Sequence, residues 1–419
     1  MTLEVDMADP RNLVVKEGEI ATYHAWSRCV QQEFLMGNEF DHRRYWLESL
    51  ISYQTRIFAV DLADYTILEN HFHVMPRTRP DLVATWSDKE VAWRWKMAWP
   101  AWTGTEWMRD PTDREIEQLL RNSAKLVLAR TALSSLSWFI ARIKEPISKM
   151  ANAESNRRGH FWDGRFGCRE LVDEAGSLTC LTYLDLNQIK AGSAASLEES
   201  EYSAIRNRLI AWQQREALAS LKEFNSEATA DKLEMEQMVQ LFADCHLAPI
   251  SDDAPLLLAR EAIATSVNPS AYAPNNEQMD EEEEISGKTE LADESANRNV
   301  CESHQNNPES REIHRHYWDC LPQRNSDNTI LSMPLFQYVD ILQYLVDRHL
   351  NPDRVDLTPE VRCALQSNHI NAERWVETIA EFEKSFFSVV GCADLLDERI
   401  NDSARHWFKG IRRCRDVFN

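Results

Sequence analysis

The amino-acid sequence predicts an α+β chain, and three observations carry that prediction. Residues 21–30 and 57–75 are rich in β-branched and aromatic side chains, as strands are. Apolar residues recur at i, i+3 and i+4 over 43–53 and through much of the second half, as on amphipathic helices. A stretch at 266–312 is rich in Asn, Ser, Pro and Glu, with too few apolar side chains to offset the entropy of ordering.

In chain order, residues 1–20 carry no period and are expected to be loose. A strand follows at 21–30 and an amphipathic helix at 43–53. Residues 57–75 then predict two antiparallel strands, broken near Glu69-Asn70. Residues 86–150 predict a helical insertion, opened by a capping pair of Ser87 and Glu90. Six Trp lie between Trp86 and Trp107; they could stack on bases, but a helical core is the simpler use of so much apolar area. A further strand with glycine bends is expected at 160–172. Asp173 or Ser177 then caps a helix that runs through Tyr183 and stops near Gly192. A helical extension at 196–265, with helices near 202–224 and 232–245, leads into the acidic linker at 266–312, and a helical module at 313–419 ends the chain.

With 419 residues, 43% of them apolar, the chain is long enough for two or three globular domains. Nothing approaches the run of about 20 apolar residues that a membrane span needs, and the first ten residues have neither the basic nor the apolar part of a signal peptide. A cytoplasmic protein without membrane partners is expected. The nine Cys are scattered without a C-x-x-C pair, which fits reduced thiols better than a disulfide framework.

The net charge of -22 argues against a nucleic-acid partner until it is resolved along the chain. Residues 277–312 hold twelve acids against three bases, whereas 142–169 hold seven bases against three acids. The basic segment includes Arg157, Arg158, Arg165 and Arg169. These could hold a phosphate backbone or simply form a solvated face.

Two short patterns could carry chemistry. His71 and His73 in N-H-F-H-V project from one face of a strand and can chelate a common ion, with Phe72 turned into the core. Tyr183 and Asn187 in Y-L-D-L-N share a helix face, so a phenol and an amide oxygen could meet one site. Alone, each pattern is common in ordinary cores and strands.

Taken in order, Y-H-A-W-S-R at 23–28, N-H-F-H-V at 70–74, G-H-F-W-D-G-R-F at 159–166 and Y-L-D-L-N-Q-I-K-A-G at 183–192 resemble the REP-associated tyrosine transposases, single-tyrosine members of the HUH nuclease superfamily. The resemblance spans about 20–75 and 150–195, with the helical insertion between. Gln188-Ile189 departs from the family's Pro-Val, and residues 196–419 have no counterpart in the motifs. The resemblance implies a ferredoxin-like antiparallel sheet as the catalytic core at 21–195. It implies that His71 and His73 bind a divalent metal, Mg²⁺ or Mn²⁺, with Asn187 near it, and that Tyr183 is the nucleophile. The implied partner is single-stranded or hairpin DNA, cut through a 5′-phosphotyrosine and rejoined; a homodimer is left open. The competing readings are a domesticated protein that grips hairpin DNA or RNA without cutting it, and a helical scaffold whose histidines bind nothing.

Overall fold

The computed structural model describes residues 14–99, 101–102, 107–108, 111–224, 242–250, 328–351, 356–402 and 410–418. The expected linker at 266–312 and most of the expected helix at 232–245 lie outside them; Phe242–Cys245, which lies inside, forms turns.

The N-terminal half has the predicted order of strand, helix, strand, strand: β1 (Ala21–Arg28), α1 (His42–Ile57), β2 (Val60–Ile67) and β3 (His71–Thr78). Five helices follow: α2 (Pro80–Thr85), α3 (Asp88–Met97), α4 (Asp113–Leu120), α5 (Ser123–Ala132) and α6 (Leu136–Glu154). Ser87 caps α3 by accepting from the Glu90 amide. A two-residue hairpin, β4 (Ala101–Trp102) with β5 (Trp107–Met108), interrupts the insertion, which the sequence had predicted to be wholly helical. The next strand, β6 (Gly167–Leu171), is shorter than the predicted 160–172, because Phe161–Phe166 loops around the end of β1. Asp173 then caps α7 (Glu174–Asp185), accepting from the Gly176 amide at 2.7 Å. A bend at Leu186 leads into α8 (Asn187–Lys190), and Gly192 ends it at φ +74°, a conformation that glycine adopts without strain.

These strands form one mixed sheet in the order β2-β3-β1-β6-β7. The pairs β2/β3, β3/β1 and β1/β6 are antiparallel. The last strand, β7 (Val389–Val390), comes from the far C-terminus and runs parallel to β6. The sequence did not reveal it: two residues are too few for a period, and their partners lie more than two hundred positions away.

Alternation gives the sheet two different faces. Tyr23, Ala25, Phe72 and Val74 point to one, packing against Leu47, Leu50 and Ile51 of α1 and Phe139, Ile140 and Ile143 of α6. Arg43 pins α1 to the end of α6, giving Nε to Glu154 and Nη2 to Ser155. The tryptophans belong to this side: Trp93 is buried, and Trp95, Trp99 and Trp138 meet edge to face at 4.4–6.3 Å. This is core packing and not a stacking platform.

The opposite face carries His24, Trp26, Arg28, His71, His73, Met75 and Arg169, as the register requires: Trp26 lies opposite His73, Arg28 opposite His71, and His24 opposite Arg169. It is covered by α7, by α9 (Ala204–Phe224) and by C-terminal elements: α10 (Leu335–Leu350), α11 (Pro359–Ser367), α12 (Ala372–Ile379), α13 (Phe382–Ser385), α14 (Ala393–Asp402) and α15 (Ile411–Val417). Three polar ties fasten this module to the sheet and α7. Trp375 donates to the Thr179 hydroxyl at 2.9 Å, Arg399 pairs with Glu170 at 2.6 Å, and Asp173 accepts the Cys392 amide at 2.5 Å. Among the described residues no single helix is long and apolar enough to cross a membrane.

Asp173 thus holds the start of α7 and the end of β7 with its two oxygens. Asp173→Ala should lower unfolding stability by about 1–2 kcal/mol, read from urea denaturation. A change within error would show that neither contact matters.

Candidate functional site

His71 and His73 lie on one face of β3, their rings 5.0 Å apart and nearly perpendicular. His73 is fully buried, and the Tyr183 ring meets it edge-on at 5.8 Å. The structure therefore brings Tyr183 to the histidine pair. Asn187 is nearly buried, with its Nδ2 lacking a hydrogen-bond partner. The neighbouring amide, Gln188, reaches Thr66, the cross-strand partner of His73, at 3.5 Å.

The ring nitrogens are set by their neighbours. Asn70 gives its amide NH2 to the Gln32 carbonyl at 3.1 Å, which turns Oδ1 toward His71 Nδ1 at 2.6 Å. His71 therefore carries its proton on Nδ1 and leaves Nε2 as a bare lone pair. His73 Nδ1 lies 2.8 Å from His24 Nε2, and the outer nitrogens of this pair, His73 Nε2 and His24 Nδ1, have no partner. When His73 donates from Nδ1, its buried Nε2 is also a bare acceptor. Burial holds both rings neutral: His71 is pulled down to about 4, helped by Arg28, and His73 falls well below the usual imidazole range. Two neutral imidazoles with free nitrogens fit half of a divalent-metal site, their inner nitrogens held by the second layer of contacts such sites use. Among the described residues no group of three or more His, Cys, Asp or Glu converges as a complete ligand set.

Four residues around Tyr183 were not singled out from the sequence. His24 stacks on His73 at 5.0 Å and lies 6.0 Å from the Tyr183 ring. Lys190 sits 5.1 Å over that ring, gives a hydrogen bond to the Ile379 carbonyl, and is lowered to about 8, chiefly by burial. Phe382 stacks flat on Tyr183 at 4.5 Å. Both Glu383 oxygens accept from Arg28 Nη2, at 3.2 and 3.1 Å, and the carboxylate faces the Tyr183 phenol. Burial first, and the Glu383 carboxylate second, push the Tyr183 phenol well above its ordinary value. His24 did have a signal, since it alternates with Trp26 and Arg28 in Y-H-A-W-S-R. Phe382 and Glu383 had none.

The four arginines expected to hold DNA separate into two kinds. Arg157, Arg158 and Arg165 are exposed on the loop before β6. That loop is tied to the end of β1, where Asp163 N donates to the Arg28 carbonyl at 2.8 Å, and to α6, where Lys144 donates to the Gly164 carbonyl and Asn152 to the Gly159 carbonyl; among the described residues no contact joins these three arginines to the histidine pair or Tyr183. Arg169 departs from the expectation of a solvated strip. It is 4% exposed, sandwiched between Trp26 at 4.7 Å and Phe382 at 4.8 Å, and its Nε and Nη1 have no hydrogen-bond partner. Its strand position opposite His24 turns it inward. Trp26 in turn lies flat on Gly167, where a Cβ would come within 2.4 Å of the indole.

On the far side of α7, Asp64 and Asp185 face each other, fully buried. Tyr338 of α10 donates to Asp185, and Arg208 of α9 binds the Ala63 and Ala248 carbonyls beside them. Three of the four carboxyl oxygens lack a donor, which one shared proton relieves. Burial raises both carboxyls, and for Asp64 the neighbouring Asp185 adds to it.

No family model matches the chain, and no curated protein matches it. Among solved structures, the chain is similar to the structure of a REP-associated tyrosine transposase bound to a REP hairpin. The two are 12% identical over 47% of this chain and 82% of that one, with a TM-score of 0.27.

A carboxyl raised on folding keeps its proton in the native state while the unfolded chain loses it. The pair's contribution is therefore greatest below the ordinary carboxylate range and declines as pH rises above it. Asp64→Asn removes this titration, so its melting temperature should gain on the parent's steadily from pH 5 to pH 8. A difference independent of pH would contradict a shared proton.

Proposed function

We propose that the chain is a metal-dependent single-strand DNA endonuclease and strand transferase of the transposase type, acting on single-stranded or hairpin DNA with Tyr183 as nucleophile. The observation that carries the reading is the Tyr183 ring beside His73, whose buried Nε2 has no protein partner. The strand order β2-β3-β1-β6, with α1 after β1 and helices between β3 and β6, supports a ferredoxin-like core beneath it.

In this mechanism His71 and His73 would hold the ion through Nε2, with Asn70 and His24 fixing the opposite nitrogens. A bound Mg²⁺ or Mn²⁺ supplies Lewis-acid polarisation of the scissile phosphate. Tyr183 forms the Oη–P bond as the P–O3′ bond breaks, losing its phenol proton while the departing 3′ oxygen gains one. The phosphodiester's energy stays in the tyrosyl ester, so attack by another 3′-hydroxyl reverses the step without ATP. Arg169 and Lys190 favour the developing charge on the tyrosine and phosphate, and the exposed Arg157, Arg158 and Arg165 would hold more distant parts of the DNA backbone.

One observation favours a second reading, hairpin binding without cleavage: Tyr183 is only 7% exposed beneath Phe382. Incubation with labelled single-stranded hairpin oligonucleotides in Mn²⁺ separates the two. The proposal expects a covalent protein–DNA band on a denaturing gel, abolished by EDTA and by Tyr183→Phe, and reduced at least a hundredfold in His73→Ala. Tight hairpin binding with no band in any metal would leave the binding reading in its place.

A further inference from the structure

Glu383 is the carboxylate at the centre of the basic side of the site. It is ion-paired with Arg28 and acts electrostatically on Tyr183, His71, Arg169 and Lys190. These groups come from five elements, β1, β3, β6, α7 and α8, and they converge where a carboxylate from a sixth, α13, sits. Arg169 has two unpartnered nitrogens although it is fully buried there, which is more positive character than one carboxylate satisfies. Beside Glu383, Phe382 lies flat on Tyr183 and over Arg169, as an unstacked base could.

We propose that Arg28, Arg169, Lys190 and the Tyr183 hydroxyl form a phosphate-binding pocket, and that Glu383 with Phe382 occupies it as an internal mimic of a nucleotide. The C-terminal module thus holds the site closed. This inference deepens the strand-cleavage reading and rests on it for the identity of the natural ligand, but the pocket is testable without it.

The anchoring of the mimic is specific. Only three residues after α13, Ser388 accepts the Glu170 amide, and β7 continues the pairing along β6. Preceding it, α12 is fixed to α7 by Trp375 and Thr179. The turn carrying Phe382 and Glu383 is therefore held at both ends, and a DNA strand reaches Tyr183 only by displacing it. An anionic strand competes directly for Arg28 and Arg169, so ligand binding and opening are one equilibrium.

The test uses the full chain with Glu383→Gln, which keeps the shape and removes the charge, and Glu381→Gln, a neighbouring exposed acid, as control for net charge. Inorganic phosphate binding at low ionic strength is measured by calorimetry, and covalent adduct with a hairpin oligonucleotide is measured in parallel. Glu383→Gln should bind phosphate about tenfold more tightly than the parent or Glu381→Gln, lose that gain when Arg28→Gln is added, and form adduct several-fold faster. A gain in phosphate affinity with no adduct from any variant would uphold the pocket and sink the cleavage reading. Adduct formation by the parent, with phosphate affinity unchanged or reduced in Glu383→Gln, would sink the mimic and leave cleavage standing. Adduct lost in Glu383→Gln would also overturn it, since the carboxylate would then be serving the reaction.

Discussion

The structure depends on the period of two in β3. With Phe72 and Val74 committed to the α1–α6 core, His71, His73 and Met75 must face the other way. The register then aligns Trp26, Arg28 and His24 with them from β1, and Arg169 from β6. A one-residue slip would drive imidazole and guanidinium groups into the apolar layer at a cost of several kcal/mol, so the apolar face enforces the composition of the polar one.

A sheet face of this kind cannot simply be covered by an apolar layer. Its polar groups are satisfied in part by one another, as in the His24–His73 and Arg28–Glu383 pairs, and in part left open, as at His73 Nε2 and Arg169 Nε. Native proteins leave few such groups without a partner, and those they leave tend to sit where a ligand binds. The unsatisfied atoms here cluster around one tyrosine. The C-terminal module closes over them through β7 and α13, so the second half of the chain completes the face that the first half leaves polar.

The predicted strands at 21–30 and 57–75 and the helix at 43–53 matched elements of this architecture because each carries its own period. His71, His73 and Tyr183 were legible as short local patterns, and their proximity was legible only through the order of four motifs. The role of His24 needed the β1–β3 register, which no local pattern encodes. Arg169 looked like a member of a basic strip because charge counts ignore which side of a strand a residue occupies. Phe382 and Glu383 were beyond reach: α13 is four residues long, and its contacts close across about two hundred positions. Long-range pairings of this kind are set by packing and not by propensity.

The proposed metal site requires His71 and His73 both to present bare Nε2 atoms on the face that Tyr183 meets. Nitrogen-15 NMR of imidazole-labelled protein at neutral pH, with and without Mn²⁺, tests it most directly. Both rings should be neutral and protonated on Nδ1, with their Nε2 signals broadened first as Mn²⁺ is added. Protons found on Nε2 in either ring, or signals indifferent to Mn²⁺, would contradict it.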